Sequence, residues 1–595
     1  MRARLRRLLA TLARLGSGRA GLVRLAALVA VLLGSVVFQG LQVDDYWQRN
    51  YFLGNPRWPT ASGPWWGLFS FFDGVPAHMA GYREDGLVAW WADEHTRISF
   101  FRPLSCLTHL LDYRLWPDAP GLMHLHSLAW YLALVVVAAV LYRRLLPPSV
   151  SALAALLYAV DHTHGGVVGW ISNRNALVSA VFGLSAVIFH DRASRGEARA
   201  RWLAAGCLGL ALLGSEGALG ALGYLAAHAL VLDGRPWRQR ARDLAPHALA
   251  LAPWLVVYRL GRFGASGSGM YVDPGRAPLR VLRHVPEYLS LLVASDWGSI
   301  GPEAELLMPP AGRVALLVVA VLAVLAALIT LAPLLRSRPS TRFLLLGALL
   351  SILPGCATIP ATRLLLLPSL GLMGVVAEAL VYLVAEGTAP ARGLARVAWV
   401  WFGLWVGVGH LLLSPLVVGP TAWQMVLFQG ALDRLAESWA PDDAGLPSQR
   451  IVAVNVPEPA FAGYTLILRA TRGATVPRGF LGLVNGVRRS ELTRVGDAVV
   501  EVRAPGGFMQ WATDYLVRDP STPIPVGTRF QLSDVTVEVT HATEGGVPDV
   551  ARFTFEGGAD DARYRWVQWA GGKYVPFSLP AVGETVAIAA RAPGS

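Results

Sequence analysis

Apolar runs of membrane-crossing length recur through the first 420 residues and then stop. They lie at about 21–43, 122–142, 149–160, 174–190, 202–214, 216–232, 244–262, 311–335, 343–357, 364–384 and 397–418. This pattern predicts about eleven transmembrane helices, several of them short. Two long polar segments interrupt the runs, at 44–121 and 263–310, and are read as outer loops. In the first, Leu104, Leu107, Leu110, Leu111 and Leu115 recur at helical spacing, which predicts a helix over Pro103–Trp116 lying flat on the membrane. A similar helix is expected near Leu279–Val293, and 421–445 reads as an amphipathic connector. From Ile451 the period changes to two, as in Asp534-Val535-Thr536-Val537-Glu538-Val539 and Arg552-Phe553-Thr554-Phe555, with Gly, Pro and Asp between the runs. That alternation predicts an all-β, sandwich-like soluble domain over 446–595, without an internal repeat. The expected fold class is therefore a polytopic α-helical membrane protein, residues 1–420, carrying a C-terminal β domain.

Charge adds an orientation. The formal net charge is +12, and the only lysine is Lys573. The arginines cluster at Arg143-Arg144, Arg192 to Arg201, Arg235 to Arg242, Arg336 to Arg342, and Arg392 with Arg396, after Arg2, Arg4, Arg6, Arg7, Arg14 and Arg19. If every apolar run crosses, all these clusters share one side, which predicts a cytoplasmic N-terminus and an extracytoplasmic, periplasmic C-terminal domain in a bacterial inner membrane. This use of positive charge argues against a nucleic-acid partner and for membrane lipids. Val36-Val37-Phe38-Gln39 lacks a small-residue cleavage site, so the first run reads as an uncleaved anchor. The three cysteines, Cys106, Cys207 and Cys356, imply neither a disulfide framework nor a zinc site. Trp65-Trp66 and Trp90-Trp91 are expected in the headgroup zone.

The same layout gathers polar residues on the non-cytoplasmic side. Asp44 and Asp45 end the first run. Asp161, His162 and His164 end the third, and Arg174 begins the fourth. Glu216 sits in the turn between the fifth and sixth, and Arg363 begins the tenth region. Polar groups at membrane depth face a cavity or one another, so these residues predict one polar pocket. A carboxylate there can act as general base towards a hydroxyl. An arginine can hold a phosphate leaving group through paired hydrogen bonds. With no Gly-rich phosphate loop, a lipid-linked donor is favoured over a nucleotide. Blander roles compete: Asp44 and Asp45 as a helix stop, Arg363 snorkelling to headgroups, Arg102 on headgroups, His162 and His164 as satisfied loop residues rather than metal ligands. A transporter or flippase of lipid-linked glycan, or a scaffold displaying the β domain, are the rival classes.

Several blocks together resemble the GT-C class of integral-membrane glycosyltransferases, nearest the branch of protein O-mannosyltransferases and transmembrane enzymes with tetratricopeptide repeats. Asp44-Asp45 with Asn50 and Asn55-Pro56 is similar to the acidic first-loop motif. Phe101-Arg102-Pro103-Leu104 with Leu111-Asp112-Tyr113 is similar to the next block. Ala159-Val160-Asp161-His162-Thr163-His164 with Trp170-Ile171-Ser172-Asn173-Arg174, then Ser215-Glu216, then Arg363-Leu364 with Leu367-Pro368-Ser369-Leu370-Gly371, follow in family order over about 40–415. The chain departs where Gly166 replaces the usual Glu of the His-rich block, where Ser215 replaces a Lys, and where a β domain stands in place of repeats. The resemblance implies inverting transfer from a polyprenyl-phosphate sugar to an acceptor hydroxyl of a protein, lipid or glycan on the outer face of the membrane, with no cofactor and no obligatory metal. It implies that one aspartate of the pair, Asp44 by preference, is the base, while the other orients a substrate. It gives Arg363, with Arg174 or Arg102, the departing phosphate, and leaves Asp161, His162, His164 and Glu216 as support.

Overall fold

The structure is a computed structural model that describes residues 2–54, 63–298, 300–385, 393–438, 444–457 and 459–590. Asn55, Pro56 and Arg392 lie outside these residues. Among the described residues, six helices are long and apolar enough to cross a membrane: Gly18–Phe38, Pro120–Leu145, Ile171–Ser194, Ala311–Ser337, Pro339–Ala357 and Arg396–Ser438. Four further apolar helices are shorter: Pro148–Ala159, Ala200–Gly214, Glu216–Leu232 and Pro368–Leu383. At ~1.5 Å per residue, a helix the length of Pro148–Ala159 reaches roughly 18 Å, well under a hydrocarbon core of about 30 Å. The remaining expected run, 244–262, falls in Trp237–Leu260, whose first half carries Arg238, Arg240, Arg242 and Asp243.

The helices enclose one apolar core crossed by buried tyrosines. Tyr158 donates to Leu366 O (2.8 Å) and Tyr224 to Leu367 O (2.9 Å), while Tyr142 donates to Leu370 O. These bonds tie the phenols to the backbone at the start of the helix Pro368–Ala385, where Tyr224 OH also accepts from Gly371 N (2.8 Å). The phenols therefore fix the segment just after Arg363. At one end of the bundle the arginine clusters interlock: Arg144 with Asp191 (2.7 Å), Arg201 with Asp243 (3.5 Å), and Arg235 with Asp233 and Asp243 (2.7 Å each).

Pro103–Leu115 is helical as expected, and three of its five leucines face out. Leu107, Leu111 and Leu115 are exposed, whereas Thr108, His109 and Asp112 are buried. An outer apolar face over an inner polar face is the reverse of a water-soluble helix, and suits contact with lipid.

Three strands join the segments 44–121 and 263–310: β1 (Ser70–Asp73), β2 (Arg97–Ser99) and β3 (Gly264–Ser266), in that order and antiparallel. The C-terminal region is sheet-rich. It comprises β4 (Arg450–Val456), β5 (Gly479–Asn485), β6 (Ser490–Arg494), β7 (Val499–Arg503), β8 (Arg529–Gln531), β9 (Val535–Ala542), β10 (Pro548–Phe555), β11 (Tyr564–Ala570), β12 (Lys573–Pro576) and β13 (Thr585–Ile588). One sheet is six-stranded, order β13-β6-β7-β10-β9-β8; the other is four-stranded, order β12-β11-β4-β5. Alternation in β9 and β10 sends Val535, Val537, Val539, Phe553 and Phe555 into the core between them.

The structure overturns two expectations. The region is not all-β: the helix Pro459–Thr471 joins the parallel strands β4 and β5, as a parallel pair requires a crossover. Ala462, Leu466 and Ile467 of that helix pack on Ile451, Ala453 and Phe480, whose strands are buried on both faces and so lack a clean period of two. Nor are Trp90 and Trp91 interfacial. Both are at most 2 % exposed, packed inside the C-terminal core against Phe508, with Trp90 also on Phe530 and Phe553. The Trp90 indole donates to Leu483 O (3.1 Å). The segment 44–121 thus contributes to the C-terminal core. Arg450, fully buried, extends the seam by bonding Asp534 (2.7 Å) and Glu84 (2.5 Å).

Candidate functional site

The chain leaves Gly18–Phe38 through Gln39–Val43 and turns at once into a second helix, Asp44–Leu53. Asp44 and Asp45 therefore open a helix rather than close one, where the N-terminal dipole favours negative charge. Val43 precedes them at φ 42°, ψ −109°, a costly position for a β-branched residue. Its N–H is held by Gln429 Oε1 (2.9 Å), a residue of the connector helix. The strained turn fixes which way the two carboxylates point.

They point apart. Asp45 is completely buried. Its oxygens accept from Gln42 N (2.9 Å), Ser172 N (2.9 Å) and Ser172 Oγ (2.5 Å). Burial pushes its carboxyl up to about 7, against those hydrogen bonds, with Asp44 adding to the rise. Asp44 is partly exposed, and Oδ1 accepts the hydroxyl proton of Tyr464 at 2.5 Å. Burial raises its carboxyl too, while Tyr464 and the positive charge of Arg363 oppose the rise.

Arg363 lies in the turn Thr362–Leu364. Glu303 holds that turn by accepting from Thr362 N (2.5 Å) and Thr362 Oγ1 (2.6 Å). The Arg363 side chain is itself partly exposed and makes no hydrogen bond or ion pair among the described residues. The two other candidate arginines are fully engaged by protein. Arg102 pairs with both oxygens of Glu216, one at 3.0 Å, and its guanidinium lies 4.9 Å from the Phe69 ring and 4.5 Å from the Phe100 ring. Arg174 is completely buried against Asp112 at 2.5 Å, and donates to Ser127 Oγ (3.0 Å) and Met123 O (2.7 Å).

The Arg102–Glu216 pair is linked to Asp45 through Asn175 and Ser172. Asn175, with its amide turned to satisfy both neighbours, donates to Ser172 O and accepts from Arg102 (2.9 Å each). A chain of hydrogen bonds thus runs Glu216, Arg102, Asn175, Ser172, Asp45, ending beside Asp44. Most of the gathered polar residues brace one another, and Asp44 with Arg363 is what stays open.

The histidine block sits apart from that chain. Asp161 caps the helix His162–Val168 through Thr163 N (2.9 Å) and Oγ1 (3.0 Å). His162 Nδ1 contacts Ser414 Oγ at 3.0 Å, and His164 Nδ1 contacts Tyr131 OH at 3.1 Å. Asp296 adjoins Asp161 and accepts from Ser369 Oγ. Burial, with the Asp161 charge beside it, pushes the Asp296 carboxyl well above the carboxylate range. Among the described residues no group of three His, Cys, Asp or Glu is arranged around a metal position.

Asp44 also forms part of the wall of a cavity of about 150 Å³ between the segment 44–121 and the C-terminal region. Trp47, Phe71, Trp91, Tyr271 and Tyr464 line it. Sequence reading missed Tyr464, Asp296 and Asn175. Asp296 carried a signal, as the lone acid closing the apolar stretch Leu291–Ser295. Tyr464 carried none, being 420 residues from its partner.

No protein-family model matches this chain, and no curated protein matches it.

Proposed function

We propose that the chain is a GT-C-like glycosyltransferase that moves a sugar from a polyprenyl phosphate to an acceptor hydroxyl. What carries this is the juxtaposition of an accessible carboxylate, Asp44, with a guanidinium, Arg363, that has no hydrogen-bond or ion-pair partner among the described residues. Asp44 accepts the proton of the acceptor hydroxyl. The freed oxygen forms a bond to the anomeric carbon from the face opposite the leaving group. The bond from that carbon to the phosphate oxygen breaks, and its electron pair leaves with the phosphate. Arg363 neutralises the charge that develops there, where paired donors serve a phosphate well. The raised carboxyl of Asp44 makes it a better base than an ordinary surface aspartate. Asp45 is a positioning residue: its bonds to Ser172 lock the turn that aims Asp44. Arg102 and Arg174 hold loops together.

The membrane layout belongs to the same reading. The short apolar helices complete a bundle of about eleven crossings, the interlocked arginine end is cytoplasmic, and Asp44 and the sheet-rich region face the outside of a bacterial inner membrane. Lipid-facing leucines on Pro103–Leu115 suit a site that receives a lipid-borne donor.

The test is purified protein in lipid, incubated with a panel of polyprenyl-phosphate sugars and scored for free polyprenyl phosphate. At least one sugar is expected to give release above the protein-free control. No release from any donor, with net movement of lipid-linked glycan between leaflets instead, would favour a flippase.

A further inference from the structure

The cavity beside Asp44 has a composition that the transfer step alone does not call for. Trp47 and Phe71 stand with ring centres 6.1 Å apart, and Trp91 and Tyr271 add further aromatic surface. Trp47 and Trp91 are buried, yet neither indole N–H has a hydrogen-bond partner among the described residues. Of the buried indoles without a partner among the described residues, those of Trp47 and Trp91 border this cavity, where a bound group can supply the acceptor. Aromatic faces combined with spare donors match a sugar ring, which offers C–H groups on its faces and oxygen acceptors around its rim. The size of the cavity is below the ~300–1,000 Å³ of pockets for larger ligands, which limits it to about one ring.

Tyr464 marks where that ring meets the chemistry. Its phenol donates to Asp44 Oδ1, the same bond an acceptor hydroxyl makes before it loses its proton. Tyr464 comes from Pro459–Thr471, so the C-terminal region supplies one wall of the cavity. We propose that this cavity binds the terminal monosaccharide ring of a glycan acceptor, and that the Tyr464 hydroxyl occupies the position the acceptor hydroxyl takes on Asp44. This rests on the glycosyltransferase reading and adds the class of acceptor to it.

The experiment is calorimetric titration of the full-length protein in lipid nanodiscs with methyl glycosides of glucose, mannose, galactose and N-acetylglucosamine, beside N-acetyltyrosinamide as a peptide-like rival. One glycoside is expected to bind saturably. Trp91→Phe and Trp47→Phe are each expected to weaken it about tenfold, the loss of one hydrogen bond, with the thermal transition retained. Tyr464→Phe is expected to bind the ring as well as or better than the wild type, because it no longer competes for Asp44. Absence of glycoside binding, binding indifferent to both tryptophan variants, or preference for the tyrosine amide would overturn the assignment. Binding is read without turnover. A protein that releases lipid phosphate yet binds no glycoside refutes the acceptor class alone, and one that binds a glycoside but releases nothing refutes the transfer reaction alone.

Discussion

Arg174 and Arg363 look alike in sequence, each an arginine opening an apolar stretch, but their surroundings demand opposite outcomes on mutation. Arg174 and Asp112 are both fully buried and 2.5 Å apart. Arg174→Gln leaves the Asp112 charge with only His126, whose Nδ1 lies 2.8 Å away, and removes one donor from the carbonyl of Met123. Removing one member of a buried pair costs roughly 3–5 kcal/mol. That is a large share of the ~5–15 kcal/mol that holds a typical domain together. Arg363→Gln breaks no hydrogen bond or ion pair, so stability should hold while lipid-phosphate release falls about 10²–10³-fold, the usual effect of losing a charge-stabilising donor. Thermal unfolding in one detergent, run beside the release assay, separates the two. Arg174→Met with Asp112→Leu should recover part of the lost stability, because a packed apolar pair replaces an uncompensated charge. If Arg174→Gln melted like the wild type and lost activity alone, Arg174 would be a substrate ligand and the division drawn here between bracing and open arginines would fall.

Other perturbations test separate links. Asp45→Asn turns an amide N–H₂ towards Gln42 N or Ser172 N and should cost roughly 1–3 kcal/mol in unfolding free energy. Because the folded Asp45 carboxyl sits at about 7, above its unfolded value, its contribution to stability is full at acid pH and is lost as pH rises through about 7. The Asp45→Asn protein should lack that component when unfolding is followed from pH 4 to 8. Activity should fall as pH drops through a carboxyl above the ordinary aspartate range, and Tyr464→Phe, which removes a bond that lowers the Asp44 carboxyl, should move that acidic limb to higher pH. Trp90→Ala should cost roughly 3–5 kcal/mol and expose 446–595 to protease, since Trp90 fills the C-terminal core. A nitroxide at Leu111 should be more accessible to oxygen than to a water-soluble nickel chelate, as a lipid-facing site is.

What the sequence revealed follows from which forces are local. Long apolar helices and the strands Val535–Ala542 and Pro548–Phe555 are visible because burial imposes a period on neighbours in the chain. The helix Pro459–Thr471 escaped notice because flanking strands β4 and β5 are buried on both faces and the surrounding apolar pattern is continuous. Trp90 and Trp91 misled because aromatic density looks the same at a headgroup layer and in a protein core. In the site, Asp44 and Arg363 stand out as charges flanking apolar runs. That Arg102 faces Glu216 and Arg174 faces Asp112 depends on pairings across more than 60 residues, which no spacing encodes. Tyr464 on Asp44 is the extreme case, decided wholly by how the sheet-rich region folds back on the first loop.

The role of Asp44 is tested most directly by single-turnover transfer with the donor that the panel identifies, comparing wild type with Asp44→Asn at matched thermal stability. Loss of the base should slow release of polyprenyl phosphate about 10²–10⁴-fold and leave donor binding intact. Release by Asp44→Asn within a few-fold of the wild type would contradict a proton-accepting role for this carboxylate.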